Sequence, residues 1–313
     1  MGAPILDLAR SDDLLAGDFR DAYGTLGFGA VVNHGVDPAL IEGVFAASRQ
    51  FHALPRETKM AIALDRNHRG FIPIDSSTDR TTDLAEVTKP NQSESFIMLR
   101  ETGPDDPDAR AGVYLAGPNQ WPADAPGFRE AVTAYHDALC DLGRRLVRLA
   151  ARSVGAPADV FDAAFERPTT WLRLLRYPPR PPDAPDDLYG SAPHRDFGAI
   201  TILAQDDAGG LQVMRPEGGW IDIPPTDGAF VVNVGDMLSR WTNGRLKSTP
   251  HRVINRAPGP RYSVPFFFDP HARTVITPLR VCVDPGETAA EPILFEDFLR
   301  DQLGATYDAH GAG

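Results

Sequence analysis

Two short apolar runs, 4–8 and 28–33, each ended by turn-forming residues, predict strands near the N-terminus. Between 37 and 55 the period changes. Leu40, Ile41, Val44, Phe45 and Phe51 recur at helical spacing, which places them on one face of a helix. Asp37-Pro38 supplies its N-cap and a proline at the first helical position, and Pro55 ends it. From 100 to 127 Pro, Gly and Asp dominate, so this stretch reads as loop. A long amphipathic helix follows over 128–154. Phe128, Val132, Tyr135, Leu139, Leu142, Leu146 and Leu149 repeat every three or four residues until Gly155 and Pro157 close the run.

After Thr169 the pattern turns to short apolar or alternating runs broken by Gly, Pro, Asp and Asn. Strands are expected at 171–177, 199–205, 211–214, 220–223, 229–234, 238–242, 249–255, 261–268 and 275–283. So many short strands at even spacing indicate a sandwich or barrel, and their number suits a jelly roll. The fold class is mainly β with flanking helices. The proline-rich 178–193 is a long loop, either a lid or a wide turn. The chain divides into an α/β region (1–100), a loop and backing helix (101–168), the β core (169–285) and a C-terminal helix and tail (286–313), all in one compact unit.

Composition narrows the partners. The 313 residues carry a formal charge of −12 and no cluster of basic residues. That repels the phosphates on which nucleic-acid affinity rests, so neither nucleic acid nor an anionic membrane is an expected partner. Two isolated cysteines, Cys140 and Cys282, in apolar stretches read as buried free thiols of a reducing compartment. With no basic leader and no apolar block long enough for a span, a soluble, cytoplasmic protein is expected. Only three of the 31 basic residues are lysines (Lys59, Lys89, Lys247), which suggests a GC-rich, bacterial genome. The pattern carries no signal of oligomeric state.

The candidate chemistry centres on His194-Arg195-Asp196, read as the start of the strand that continues into 199–205. Alternation then turns His194 and Asp196 to one face and Arg195 to the other, towards the mouth or solvent. Alone the motif is weak, since about one His-x-Asp match arises by chance in a chain of this composition. Support comes from Thr249-Pro250-His251-Arg252-Val253-Ile254-Asn255, a turn at 256–260, and Arg261-Tyr262-Ser263-Val264-Pro265. Read as a hairpin symmetric about Pro258, these segments set Val253 opposite Ser263 and Asn255 opposite Arg261. His251, Arg261 and Ser263 then share a face. Two imidazoles and one carboxylate leave three positions of an octahedron open, which suits non-haem Fe(II) better than structural zinc. Arg261 offers a planar fork for a carboxylate beside it.

These residues resemble the Fe(II)/2-oxoglutarate-dependent oxygenases of the isopenicillin N synthase-like superfamily. The likeness extends to Arg-Tyr-Pro-Pro at 176–179, Gly209-Gly210-Leu211-Gln212-Val213, Val232-Asn233-Val234-Gly235-Asp236, Arg240-Trp241-Thr242-Asn243-Gly244, and, nearer the N-terminus, Val32-Asn33-His34-Gly35-Val36 and Ser93-Glu94-Ser95-Phe96. It runs from about residue 4 to about residue 300. The resemblance implies a double-stranded β-helix (jelly roll, cupin-like) with His194, Asp196 and His251 as iron ligands. It further implies Arg261 with Ser263 on the distal carboxylate of 2-oxoglutarate, and Tyr177 bonded to the same group. Leu175 departs from the pattern, standing where many members carry Asn.

The implied reaction consumes 2-oxoglutarate and O₂, releases succinate and CO₂, and oxidises an unactivated C–H bond of a small molecule. Hydroxylation is the default outcome, with desaturation or cyclisation open, and bacterial specialised metabolism is the expected setting. No residue beyond the metal ligands is assigned a catalytic part. A 2-oxoglutarate-independent Fe(II) oxidase of the isopenicillin N synthase type, and a silent β-helix binding protein, are the competing readings. A Gly-x-Gly-x-x-Gly dinucleotide fingerprint and a Gly-x-Ser-x-Gly elbow are both missing from the sequence. Strand direction and family analogy give Phe96, Met98, Phe266 and Phe268 as substrate-pocket residues. His34 is expected to pack, and His52, His68, His136, His271 and His310 to be structural or exposed.

Overall fold

The computed structural model describes residues 3–77, 84 and 89–307. The first half runs β1 (Ile5–Asp7), α1 (Asp12–Thr25), β2 (Phe28–Val32), α2 (Pro38–Ala53), α3 (Arg56–Met60), β3 (Gly70–Ile72), β4 (Glu94–Leu99), α4 (Pro107–Arg110) and α5 (Phe128–Ser153). The second half holds β5 (Thr169–Tyr177), β6 (Ser191–His194), β7 (Ile200–Gln205), β8 (Leu211–Met214), β9 (Trp220–Asp222), β10 (Phe230–Val234) and α6 (Asp236–Trp241). It ends with β11 (His251–Val253), β12 (Arg261–Asp269), β13 (Val275–Ile276), β14 (Ile293–Leu294) and α7 (Phe295–Tyr307).

Eight strands form the larger sheet, in the order β1-β2-β10-β7-β12-β5-β4-β3, and four form the smaller, β6-β11-β8-β9. The two sheets make the jelly roll that the strand pattern suits, the double-stranded β-helix that the family resemblance implies. Strands from the first hundred residues widen the same sheet, β2 through β10 and β4 through β5. One face of that sheet packs on α1, α2 and α5 through a core that includes Phe19, Phe51, Phe96, Leu139, Leu146 and Phe266. Between the sheets lies a second cluster with Phe28, Leu175, Tyr177, Leu211, Val213 and Val253.

The long helices form for the reasons their sequences give. Asp37 accepts the Ala39 N–H at 2.9 Å and caps α2. The apolar stripe of α5 is buried, and Gly155 takes the left-handed turn after it at φ +79°.

Four expectations are corrected. Segment 238–242 is helical, not extended: Met237, Leu238 and Trp241 form the buried side of α6, a spacing a short apolar run can satisfy as well as a strand's. Of 275–283 only Val275–Ile276 is extended, and Arg280–Cys282 is a 3₁₀ turn. The hairpin does not form. β11 pairs with β6 and β8 in the smaller sheet, and β12 with β5 and β7 in the larger. The link crosses between sheets, and the Asn255 side-chain amide fastens it by donating to the carbonyls of Tyr177, Pro178 and Gly259. The same holds for the His-x-Asp segment: His194 ends β6, β7 begins at Ile200, and Asp196 sits in the link.

Candidate metal and cosubstrate site

The crossovers bring together what strand alternation was expected to align. One ligand atom from each of His194, Asp196 and His251 lies within 4.8 Å of the others. Asp196 Oδ1 stands 3.7 Å from His194 Nε2 and 3.6 Å from His251 Nε2. Its second oxygen is already engaged, accepting from the Thr201 hydroxyl at 2.5 Å and the Asn233 amide at 2.7 Å. His194 Nδ1 lies 2.7 Å from the Ala192 carbonyl and His251 Nδ1 3.3 Å from the Thr249 carbonyl. A carbonyl only accepts, so each imidazole carries its proton on Nδ1 and turns the Nε2 lone pair inward. Burial pushes the Asp196 carboxyl up. His251, His194, Asn233 and Thr201 together outweigh that and hold it below the usual carboxylate range. One anionic oxygen and two imidazole lone pairs converging on one point form a three-donor set for a divalent transition metal.

Arg261 is fully buried, on the floor of the same cavity. Its Nε donates to the Gly209 carbonyl at 2.6 Å and one Nη to Gln205 Oε1 at 3.2 Å, while Nη1 has no acceptor. An unsatisfied buried donor is costly, and Arg261 is among the residues that line the cavity. Tyr177 lies directly opposite Arg261, and Leu175 opposite Ser263. The residues present thus fit a chelated dicarboxylate with its far end at Arg261. Leu175 lines the cavity with methyl groups where many members of the resembling family carry an amide.

Asp269, at the far end of β12, accepts the Ala199 N–H at 2.7 Å, and burial pushes its carboxyl up to about 7. Gly198 is tied to it: a Cβ there would lie 1.8 Å from Asp269 Oδ1.

The cavity measures about 540 Å³, within the range of small-molecule sites. Its walls correct the expected substrate residues. Phe96, Met98, Phe266 and Phe268 all lie in the core between sheet and helices, whereas Ile97, Pro265 and Phe267 face the cavity. Both faces of these central strands are buried and apolar, so parity could not be read from residue type. Arg195 is exposed at the mouth as expected, its Nε donating to the Ser248 carbonyl.

Of the remaining histidines, His34 packs against Phe230, His52 bonds the Leu174 carbonyl, His136 bonds Thr170 and His271 bonds Asp108. His68 lines the cavity near the Tyr114 hydroxyl, and His310 lies outside the described residues. Sequence reasoning missed Asn233, Thr201 and Gln205. A polar residue in an apolar run, as in Phe-Val-Val-Asn-Val, was the available signal.

The fold and this site define a non-haem iron oxygenase. Residues 168–270 match the 2OG-Fe(II) oxygenase superfamily, and residues 3–124 match the N-terminal family described as non-haem dioxygenase in morphine synthesis. The chain is 37% identical over 296 residues to the 2-oxoglutarate-Fe(II) type oxidoreductase hxnY of Emericella nidulans, covering 92% of this chain and 83% of hxnY. It is 39% identical over 284 residues to the 2-oxoglutarate-dependent dioxygenase citB of Monascus ruber, covering 88% and 84%. A full-length Neurospora crassa protein, crystallised in complex with alpha-KG and thymine, superposes with a TM-score of 0.83 at 29% identity over 96% of both chains. The chain belongs to the 2OG-Fe(II) oxygenase superfamily. It is a 2-oxoglutarate-dependent dioxygenase that acts on small molecules, with Fe(II) as its metal and 2-oxoglutarate and O₂ as cosubstrates. Among the described residues no helix is long and apolar enough to cross a membrane.

Proposed function

We propose that His194, Asp196 and His251 hold the Fe(II), that Arg261, Ser263 and Tyr177 hold the distal carboxylate of 2-oxoglutarate, and that the enzyme hydroxylates an unactivated C–H bond in specialised metabolism. The observation that carries this reading is the pairing of a three-donor cluster with a buried guanidinium whose Nη1 lacks an acceptor, in one cavity. Bound iron and 2-oxoglutarate supply the oxidising power when O₂ arrives. The protein's own residues orient and shield. Thr201 and Asn233 fix which Asp196 oxygen faces the metal, Gly209 and Gln205 fix the guanidinium, and apolar walls exclude water.

The names of the relatives favour a 2-oxoglutarate-dependent enzyme over an oxidase that dispenses with it. The lysine-poor composition supports a bacterial source, while these relatives are fungal. The test is reconstitution with Fe(II) and a compound panel, measuring succinate against product. One succinate per hydroxylated product is expected. Product formed without 2-oxoglutarate overturns the reading.

A further inference from the structure

Besides Arg261 and the exposed Arg195 at its mouth, the cavity holds a guanidinium, that of Arg173, which the iron and 2-oxoglutarate do not use. Along β5 the cavity-facing residues are Trp171, Arg173, Leu175 and Tyr177. Leu175 and Tyr177 lie opposite Ser263 and Arg261, so they flank the 2-oxoglutarate end. Arg173 lies about 13 Å along the strand from Tyr177, at ~3.3 Å per residue, in the part of the cavity that the substrate must occupy.

Its hydrogen bonding is incomplete. One Nη donates to the Ser95 hydroxyl at 3.0 Å, whereas Nε is buried without an acceptor. Among the described residues it forms no ion pair. The contrast with other arginines is direct. Arg176, on the opposite face of the same strand, pairs with Glu94 at 3.0 Å, and the fully buried Arg69 donates to Asn119 and to four backbone carbonyls. Trp171, on the same face of β5 as Arg173, repeats the deficit, its buried indole Nε1–H having no acceptor.

Charge points the same way. With Fe(II) on Asp196 and 2-oxoglutarate on Arg261, the formal charges of those four groups cancel, so that set offers no net negative charge to offset Arg173, which has no ion pair among the described residues. A half-buried, uncompensated cation is unfavourable unless a ligand supplies the anion. Ile97 lies directly opposite it on β4, and Leu203, Phe267 and Phe298 add apolar surface to the same cavity.

We propose that the substrate is a small carboxylic acid with an apolar body, its carboxylate held by Arg173 and the Trp171 N–H. The planar fork of Arg173 suits a carboxylate, and the apolar walls hold the part that is oxidised. This inference rests on the reading of the site as a 2-oxoglutarate oxygenase, and the test separates the two.

The experiment is isothermal titration of the anaerobic, Fe(II)- and 2-oxoglutarate-saturated enzyme. The probes are phenylacetate, cyclohexylacetate, naphthalene-1-acetate and octanoate, each beside its primary amide. Saturating 2-oxoglutarate keeps the probes off Arg261. At least one acid is expected to bind about tenfold or more tightly than its amide. Arg173→Gln should abolish that preference and Arg173→Lys retain part of it, with 2-oxoglutarate affinity unchanged in both. Trp171→Phe removes the N–H together with the five-membered ring of the indole; it should weaken the acid about threefold and the amide, whose carbonyl can accept the same bond, by no more than that. Equal binding of acids and amides, no acid bound by an enzyme that binds 2-oxoglutarate, or an acid preference that survives in Arg173→Gln overturns the proposal. A wild-type enzyme that binds no 2-oxoglutarate overturns the underlying reading and this one with it.

Discussion

Tyr177 and Arg261 stand directly opposite each other on β5 and β12, with the guanidinium carbon 4.9 Å from the centre of the tyrosine ring. The ring holds the guanidinium plane while Gly209 and Gln205 take two of its donors, so the remaining Nη1 is pre-aimed. Arg261→Lys keeps the charge and loses the fork. The apparent 2-oxoglutarate KM should rise about 10- to 100-fold with a smaller change in kcat, and Tyr177→Phe should cost only severalfold. Titrating 2-oxoglutarate against succinate release measures both.

Asn233 and Thr201 both donate to Oδ2 of Asp196, a proposed iron ligand. Asn233→Ala leaves His194, Asp196 and His251 in place but removes one of the two hydrogen bonds to Asp196 Oδ2, and metal affinity should fall about 10- to 100-fold. Asp196→Ala should abolish tight binding. Competition with a chromophoric chelator distinguishes the two, and a wild-type affinity in Asn233→Ala would show that Thr201 suffices.

Phe266 and Phe267 are neighbours with opposite duties. Phe266 is buried against the helices, so Phe266→Ala should destabilise the fold by about 3–5 kcal/mol in urea denaturation. Phe267 lines the cavity, and Phe267→Ala should change the affinity for substrate more than it changes stability.

Gly198 has no room for a methyl group against Asp269. Gly198→Ala should cost about 1–3 kcal/mol. Combined with Asp269→Ala it should cost less than the sum of the two single changes, because the clash partner is gone. A fully additive double variant would contradict the contact.

Asp269 also gives stability a pH dependence in the metal-free protein. Burial raises its folded-state pKa from 3.8 to about 7, so the folded chain binds the proton more tightly than the unfolded chain does. Stability relative to Asp269→Asn should therefore be fully present near pH 4, fall as pH rises, and level off above about pH 7, the total on the order of 4 kcal/mol. Asn keeps the acceptor for the Ala199 N–H and removes the charge. A divalent metal on Asp196 should shrink the difference, since Asp196 contributes to the shift. Parallel chemical denaturation series at several pH values check this.

The residues fixed by local physics were legible. Asp37-Pro38 caps α2, and the three- and four-residue apolar spacing over 128–154 makes α5, because a helix is closed by bonds within its own segment. The short β segments were legible as strands but not in their pairing. Thr249-Pro250-His251 and Arg261-Tyr262-Ser263 are close in sequence and flank a turn-rich link, the appearance of a hairpin, yet they belong to different sheets. Nor could one apolar triplet, Phe266-Phe267-Phe268, reveal which ring faces the ligand when both faces of the strand are buried.

Residue chemistry along the chain thus determined the oxygenase-like donor set, the β-helix class and the helices that back it, since donor type, turn chemistry and periodicity are local properties. The tertiary structure alone decided how His194, Asp196 and His251 meet. They converge because β11 pairs with β6, which sets His251 opposite His194, while the link after His194 carries Asp196 towards the other sheet, and strand pairing between segments far apart in sequence is set by the packing of the whole sheet. It also decided that Arg173 and Trp171 line the cavity with the arginine Nε and the indole Nε1 lacking acceptors, a property of burial that no stretch of sequence expresses.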